Sequence, residues 1–419
     1  MRRRKFLFLC IAVLTLEILC GTRNYSSGNL KRETRTGDTI MEETSTESDS
    51  NDTDNDTEKI NDRRLQSLVK ACKRLGYTED NYTINIRAHM SPNKKALYCR
   101  VNKCASTTTL EVMRRLFNCD TDCQVKIAAL VKANVNASKI MNDAFSFMVV
   151  REPYGRLFST YCNIFYFPKE DWFYRGVKII KLARPNISSD SLNFGHDLTF
   201  AELVKYIIES YENGLRLDEH VRPMHHKSCN PCMFHFDYIA HLETFEKDFL
   251  FILKTMHYRN IVENYPKDLV KSLREWTIFG PVKHLFKTLL LVKASTISSY
   301  NIFLRAWSYY QITGHVSKNI DFPYNEENVI NINKETFIQA LKTAIESSAK
   351  YNTDLNKQRY DAMIQAYSSV STEHLERLRK VVATDCFLFG YENSPNFLFD
   401  RNRLLSNKEV DTFNFFKGL

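Results

Sequence analysis

The sequence contains no glycine-rich phosphate loop of the G-x-x-x-x-G-K-[ST] kind. Its nearest candidate, NKCASTT at 102–108, lacks the Lys-Ser/Thr order, which argues against a nucleoside triphosphatase. No internal repeat and no low-complexity segment occur outside residues 21–60, so a solenoid-like array is not indicated. The C-x-x-C at Cys229 and Cys232 has zinc-like spacing but no second C-x-x-C follows it. Residues 37–58 carry no Lys or Arg against nine acids, and residues 21–60 hold few apolar side chains, so this stretch cannot bury a core. The N-terminal apolar run, residues 6–20, offers no clear small-x-small cleavage site after it.

What remains is a chain of 419 residues with 43% hydrophobic content, enough for one large domain with appendages. The formal charge is +9; with the −9 of residues 37–58 and the +4 of Arg2, Arg3, Arg4 and Lys5 set aside, the rest carries about +14. Such a body favours a polyanionic partner. MRRRK followed by fifteen mostly apolar residues reads as a retained signal anchor, short for a thick bilayer and interrupted by Glu17. N-x-S/T sequons at Asn24, Asn51, Asn55, Asn81, Asn136 and Asn186 agree with a lumenal body. So do eleven cysteines, nine of them beyond the apolar run. The odd number leaves a thiol free or paired between chains, a route to a homo-oligomer. A nucleic-acid partner would account for the charge but not for the anchor, sequons or cysteines.

Two stretches carry the chemistry. Phe147–Val150 suits a buried strand, Arg151-Glu152-Pro153 breaks it, and Tyr154, Leu157, Phe158, Tyr161, Ile164 and Phe165 recur at helical spacing. A strand, turn and helix leave backbone N–H groups for an anion, with Arg151 and Ser159 in reach of it. Fifty residues earlier, LYCRVNKCASTTTLEVM (97–113) repeats the arrangement: a strand, a loop with Lys103, then Ser106, Thr107 and Thr108 opening a helix. A helix is expected from Asp62 to Gly76, another over TFAELVKYIIESY from Thr199, and mostly helix beyond Pro281, with a long one from about Thr372. Residues 166–197 read as loop with one or two short helices. Strands between helices predict a parallel α/β sheet with sites at the strands' carboxyl ends.

LYCRVNKCASTTTLEVM resembles the 5′-phosphosulfate loop, and VVREPYGRLFSTYCNIF the 3′-phosphate motif, of Golgi carbohydrate sulfotransferases. The nearest type is the chondroitin/dermatan 4-O-sulfotransferase branch, which includes the enzymes of the natural-killer carbohydrate epitope. DEHVRPMHHKSCNPCMFHFDYIAHLETFEKDFLFIL (218–253) and DCFLFGYE (385–392) resemble further elements of that branch. The resemblance covers roughly Cys72–Glu392. It departs at Asn102, where proline is usual, at Thr109, where an aromatic is common, and at Val221, where tryptophan is usual.

The resemblance implies a P-loop-like parallel sheet flanked by helices, with a largely helical C-terminal part. It implies 3′-phosphoadenosine 5′-phosphosulfate as sulfate donor, no metal, and a glycan acceptor of chondroitin or dermatan type, which the basic body suits. Lys103 would contact the bridging and leaving oxygens, the 103–108 loop (Lys103, Cys104, Ala105, Ser106, Thr107, Thr108) would cradle the phosphosulfate, and Arg151 and Ser159 would hold the 3′-phosphate. His220 is the candidate general base, with Glu219 and Asp218 next and Arg222 a possible partner for an acidic sugar. Cys229 and Cys232 are expected in structural disulfides, with each other or with distant cysteines. The organisation expected is a cytoplasmic tail (1–5), signal anchor (6–20), disordered lumenal stem (21–61), catalytic domain (62–395) and C-terminal tail (396–419), in the Golgi membrane. The alternatives are a uronyl 2-O-sulfotransferase-type enzyme and a catalytically silent glycan-binding protein of the same fold.

Overall fold

The computed structural model describes residues 48–77, 87–91, 96–116, 124–126, 144–226, 229–256, 275–293, 295, 297–351, 353–400 and 413–417. The apolar run at 6–20 lies outside them; among the described residues no helix is long and apolar enough to cross a membrane. Cys119 and Cys123 also lie outside them, as do the sequons at Asn24, Asn81 and Asn136.

Phe145–Val150 forms the central strand, β4, and Phe147 to Val150 are fully buried, as an unbroken β-branched and aromatic run requires. It pairs in parallel with β2 (Ala96–Cys99) on one side and β5 (Tyr238–His241) on the other. β1 (Arg87–Met90) and β3 (Gln124–Lys126) extend the β2 side antiparallel, giving the order β3-β1-β2-β4-β5. The parallel α/β expectation therefore holds for the three strands that matter to the site, and the sheet as a whole is mixed. β3 lies where sequence suggested only loop and helix. The register aligns Cys99 with Met148 and Val150 with His241, so the carboxyl ends of β2, β4 and β5 open on one edge.

Helix α1 (Ser48–Arg74) starts fourteen residues before the Asp62 expected, inside the segment read as stem. Its sequence is polar because it buries only a narrow stripe and serves the sheet through hydrogen bonds. The Asn61 side chain donates to Asp237 O (3.0 Å) and accepts from Ile239 N (3.1 Å), and Arg64 Nη1 donates to Ile239 O (3.2 Å). These contacts pair the free edge of β5, which would otherwise invite another strand. Asp248 secures the same corner, accepting from Arg64, Tyr238, His241 N and Thr244.

α2 (Ser106–Leu116) follows β2, and α3 (Pro153–Thr160) follows β4 and runs into a π-helical segment, 161–166. A second π-helical segment, 172–176, leads to α4 (Val177–Ala183), α5 (Ser189–Phe194) and α6 (Phe200–Glu212), the last closed at its start by a Thr199–Glu202 capping box. The 166–197 stretch is thus more helical than its sequence suggested. α7 (Phe245–Thr255) packs on β5 with Phe249, Ile252 and Leu253 buried. The C-terminal part comprises α8 (Val282–Leu291), α9 (Ser299–Ile312), α10 (Lys334–Ser348), α11 (Leu355–Ser368), α12 (Thr372–Phe389) and α13 (Asn396–Phe399). Leu398 and Phe415 are buried in one cluster with side chains of α3, α6 and α11, so the described parts of the expected tail, 396–400 and 413–417, join the core. Arg305 ties α9 to the sheet half: 1% exposed, it lies 4.8 Å over Tyr166 and 4.5 Å over Trp172 and donates to Phe165 O (3.3 Å) and His196 O.

Both cysteines of the C-x-x-C are disulfide-bonded to distant partners: Cys72–Cys232 holds α1 and Cys99–Cys229 holds the end of β2. They close sequence separations of 160 and 130 residues. Removing either bond by Cys→Ser substitution at Cys99 or Cys72 should lower unfolding stability by roughly 2–5 kcal/mol. Denaturant titration of the oxidised protein and each variant checks this; a loss under about 0.5 kcal/mol would show the covalent tie to be redundant.

Candidate active site

The site is built at the shared carboxyl edge of β2, β4 and β5. After β2 the chain turns through Lys103 (φ 69°) and Ala105 (φ 50°), two non-glycine residues in the left-handed region on either side of Cys104. Such backbone is strained, and surrounding structure must hold it. Two buried arginines do so. Arg151 Nη1 donates to Lys103 O (3.3 Å), and Arg156 Nε donates to Asn102 O (3.0 Å) while its Nη1 reaches Arg222 O (2.9 Å). Arg156, which sequence reasoning passed over, therefore joins the Lys103 loop to the 218–224 segment. Its signal was present as the second arginine of REPYGR, one helical turn after the strand end.

The two strand–turn–helix units differ in what they offer an anion. At α2, the amides of Ser106 and Thr107 have no hydrogen-bond partner among the described residues, and Thr107 is exposed. At α3, the Glu152 carboxylate accepts from Tyr154 N (2.9 Å) and Gly155 N (2.5 Å). The expectation of open N–H groups at this second turn is thus corrected: an anionic side chain, which the positive end of a helix favours, already occupies it. Burial, with the neighbouring Glu243 adding to it, pushes the Glu152 pKa up to about 7. Glu243 is fixed by Glu152 N (2.9 Å) and the Tyr391 hydroxyl (2.8 Å).

The structure brings Lys103, Arg151 and His220 to one place. Cys104 is fully buried with its thiol 3.9 Å from Met224 Sδ, and burial pushes its pKa up to about 12. Only the backbone of Cys104 can therefore meet a ligand. Ala105, Ser106 and Thr108 are likewise buried, and Ser159 is half-buried, its hydroxyl without a hydrogen-bond partner among the described residues. Ser159 precedes Thr160, whose hydroxyl donates to His220 O (2.9 Å).

His220 Nδ1 lies 2.8 Å from Asp218 Oδ1, which also accepts from His220 N (2.9 Å). Burial, then the Arg175 and Lys103 cations, push its pKa down to about 3, so the ring is neutral despite the carboxylate beside it. The influence of Lys103 on this ring places the two in one electrostatic neighbourhood. Asp385, buried in α12, accepts from Met224 N (2.7 Å), His225 N (3.1 Å) and His225 Nδ1 (2.6 Å), and so anchors the segment that carries His220. His225 is thereby committed to structure. Among the described residues no cluster of His, Cys, Asp or Glu could hold a metal ion. Val221, in the place of the expected tryptophan, is buried in the core beneath the site.

Residues 87–278 match the sulfotransferase family. This segment is a sulfotransferase-family segment. It contains both strand–turn–helix units, both disulfide-bonded C-x-x-C cysteines and His220. The chain is 29% identical over 167 residues to carbohydrate sulfotransferase 14 of Danio rerio, covering 38% of this chain and 45% of that protein. It is 34% identical over 111 residues to carbohydrate sulfotransferase 11 of Rattus norvegicus, covering 26% and 31%. It is 24% identical over 258 residues to carbohydrate sulfotransferase 9 of Homo sapiens, covering 52% and 57%. The chain thus spans between about a third and just over a half of these relatives' lengths. No solved structure matches it.

Burial of neutral histidine has a consequence for acid stability. His220 and His241 both have folded pKa values near 3, below the ordinary 6.5. The unfolded chain therefore binds more protons between those values. The stability these residues allow is fully present above about pH 6.5 and is lost as pH falls toward 3, each contributing a slope of up to about 1.4 kcal/mol per pH unit. The His220→Asn, His241→Asn double variant should show a flatter pH dependence of unfolding free energy between pH 6.5 and 5, measured by denaturant titration; a curve parallel to the parent's would contradict the neutral burial.

Proposed function

We propose that the chain transfers a sulfuryl group from 3′-phosphoadenosine 5′-phosphosulfate to a hydroxyl of a glycan. The observation that carries this is the meeting of the two loops: Arg151 Nη1 touches the carbonyl of Lys103, so the groups assigned to the two ends of one nucleotide sit at one edge of the sheet. The residues fit such a donor. Arg151 and Arg156 are buried beside carbonyls, Lys103 is half-buried on a strained turn, and the Ser106 and Thr107 amides are open. The donor supplies an activated sulfur whose leaving group is a phosphate, so the protein's task is to orient and to stabilise charge where it develops.

Lys103 and the amides of Ser106 and Thr107 stabilise the charge that builds on the departing phosphate oxygen. Arg151 and the Ser159 hydroxyl hold the 3′-phosphate. Neutral His220, with Nδ1 held by Asp218, accepts the acceptor's hydroxyl proton at Nε2 as the new O–S bond forms and the old S–O bond breaks. The electron pair of the broken bond leaves on the phosphate oxygen. The matched relatives are named as carbohydrate sulfotransferases, and the basic body suits an acidic acceptor of the chondroitin or dermatan kind. A lumenal, N-terminally anchored enzyme of the Golgi membrane is the setting that the sequons and disulfides support.

Purified protein incubated with labelled donor and a panel of desulfated glycans should label at least one of them; donor binding without transfer to any glycan would favour a silent glycan-binding protein. Lys103→Ala and Arg151→Ala should each weaken donor binding by roughly 10- to 100-fold, the loss expected for one or two hydrogen bonds to a charged group. His220→Asn should lower kcat by about 10²- to 10⁴-fold with donor affinity retained. Unchanged donor affinity in Arg151→Ala, measured by calorimetry, would overturn its assignment.

A further inference from the structure

Arg175 lies outside every motif that the sequence singled out, yet it reaches into the base's hydrogen-bond system. It belongs to the π-helical segment 172–176, and the packing beside it leaves little freedom. A Cβ on Gly176 would lie 2.4 Å from Gly195 O, and one on Gly195 would lie 2.4 Å from both Trp172 O and Val177 N. The segment is therefore pressed backbone to backbone against the end of α5. From that support the guanidinium gathers three carboxylates. Its Nε donates to Asp171 Oδ1 (2.8 Å), its Nη1 pairs with Asp218 Oδ2, and its Nη2 is 3.6 Å from Glu219 Oε1. Asp171 is itself fixed by the Tyr174 hydroxyl (2.6 Å) and lies 3.8 Å from Lys169.

The two oxygens of Asp218 are thus divided. Oδ1 receives the ring and the amide of His220, and Oδ2 receives Arg175. We infer that Arg175 is a positioning residue for His220: by occupying the far oxygen of Asp218 it fixes the carboxylate as an acceptor, sets the proton of the imidazole on Nδ1 and leaves Nε2 bare. Lone Asp218 would act as a counter-ion and favour the imidazolium, which cannot take a proton. Paired with Arg175, whose charge opposes that of the carboxylate, it orients the ring with that effect reduced. The charges facing His220 are Asp218, Glu219 and Arg222 from its own segment, Arg175 from the π-helical segment and Asp171 just before it, Lys103 from the loop after β2 and Arg156 from α3. Of the cations, Lys103 is the one a bound anionic donor would neutralise. Arg175, saturated by carboxylates, would keep its effect on the ring when the donor arrives.

This inference rests on the proposed sulfate transfer for its purpose, though its physical content can be read without turnover. The test follows the His220 imidazole by NMR across pH in the full chain, with the resonance identified by its loss in His220→Asn. Arg175→Gln should raise the titration midpoint by at least about one pH unit, the size expected for removing one close charge. Arg175→Met, which keeps the stem without the charge, gives the same reading if the Gln variant does not fold. Arg175→Lys should restore most of the midpoint, because it keeps the charge, but not the single tautomer, because it lacks the fork. In the transfer assay the acidic limb of kcat/KM should move with the midpoint while the donor KM stays within roughly twofold. An unmoved midpoint in the folded Gln or Met variant would overturn the assignment of Arg175. A moved midpoint in a protein that transfers sulfate to no glycan would uphold it and reject the enzymatic reading instead.

Discussion

Three parallel strands in fixed register are the constraint on which the site depends. Because β2 ends opposite Met148 and β5 opposite Val150, the loops after the three strands start within reach of one another. The Lys103 turn, the Arg151 turn and the Glu243 corner then share one edge without any long-range folding of the loops themselves. The strained backbone at Lys103 and Ala105 is tolerable there because Arg151 and Arg156 reach its carbonyls from the neighbouring strand and helix. A one-residue slip between β2 and β4 would turn each buried side chain to the opposite face and break these contacts together.

Charge in the site is arranged by burial as much as by pairing. Arg151 and Arg156 are almost wholly enclosed and donate to carbonyl groups of the Lys103 loop, which places positive potential beside that turn. Glu152 is enclosed as well, but it is spent on the first amides of α3 and partly protonated near neutrality, so it subtracts little from that potential. His220 is held neutral by the same enclosure. A proton acceptor, a set of donors and a local excess of positive charge thus lie within one corner of the molecule.

Much of this was legible in the sequence. The apolar run FMVV, broken by REP and followed by helical spacing, located β4 and α3, and the run of Thr residues after Lys103 located α2. What escaped was whatever depends on partners distant in sequence. α1 looks too polar to fold because its work is done by Asn61 and Arg64 on the edge of β5, 175 residues and more away. Arg305 gives no local hint that it lies between Tyr166 and Trp172, and Glu152 none that it closes its own helix. Leu398 and Phe415 lie past the last helix that periodicity indicates, in a stretch expected to be a tail, and only their burial shows otherwise. Arg175 was hidden because its importance lies in three carboxylates, two of them more than forty residues on.

The C-x-x-C of the 229–232 turn is a branch point whose two arms grip different layers of the molecule, the outer helix α1 and the inner strand β2. Two thiols three positions apart collide far more often than thiols separated by 130 or 160 residues. The observed pairing therefore restricts the unfolded chain more than a Cys229–Cys232 ring would, since each cross-link closes a long loop.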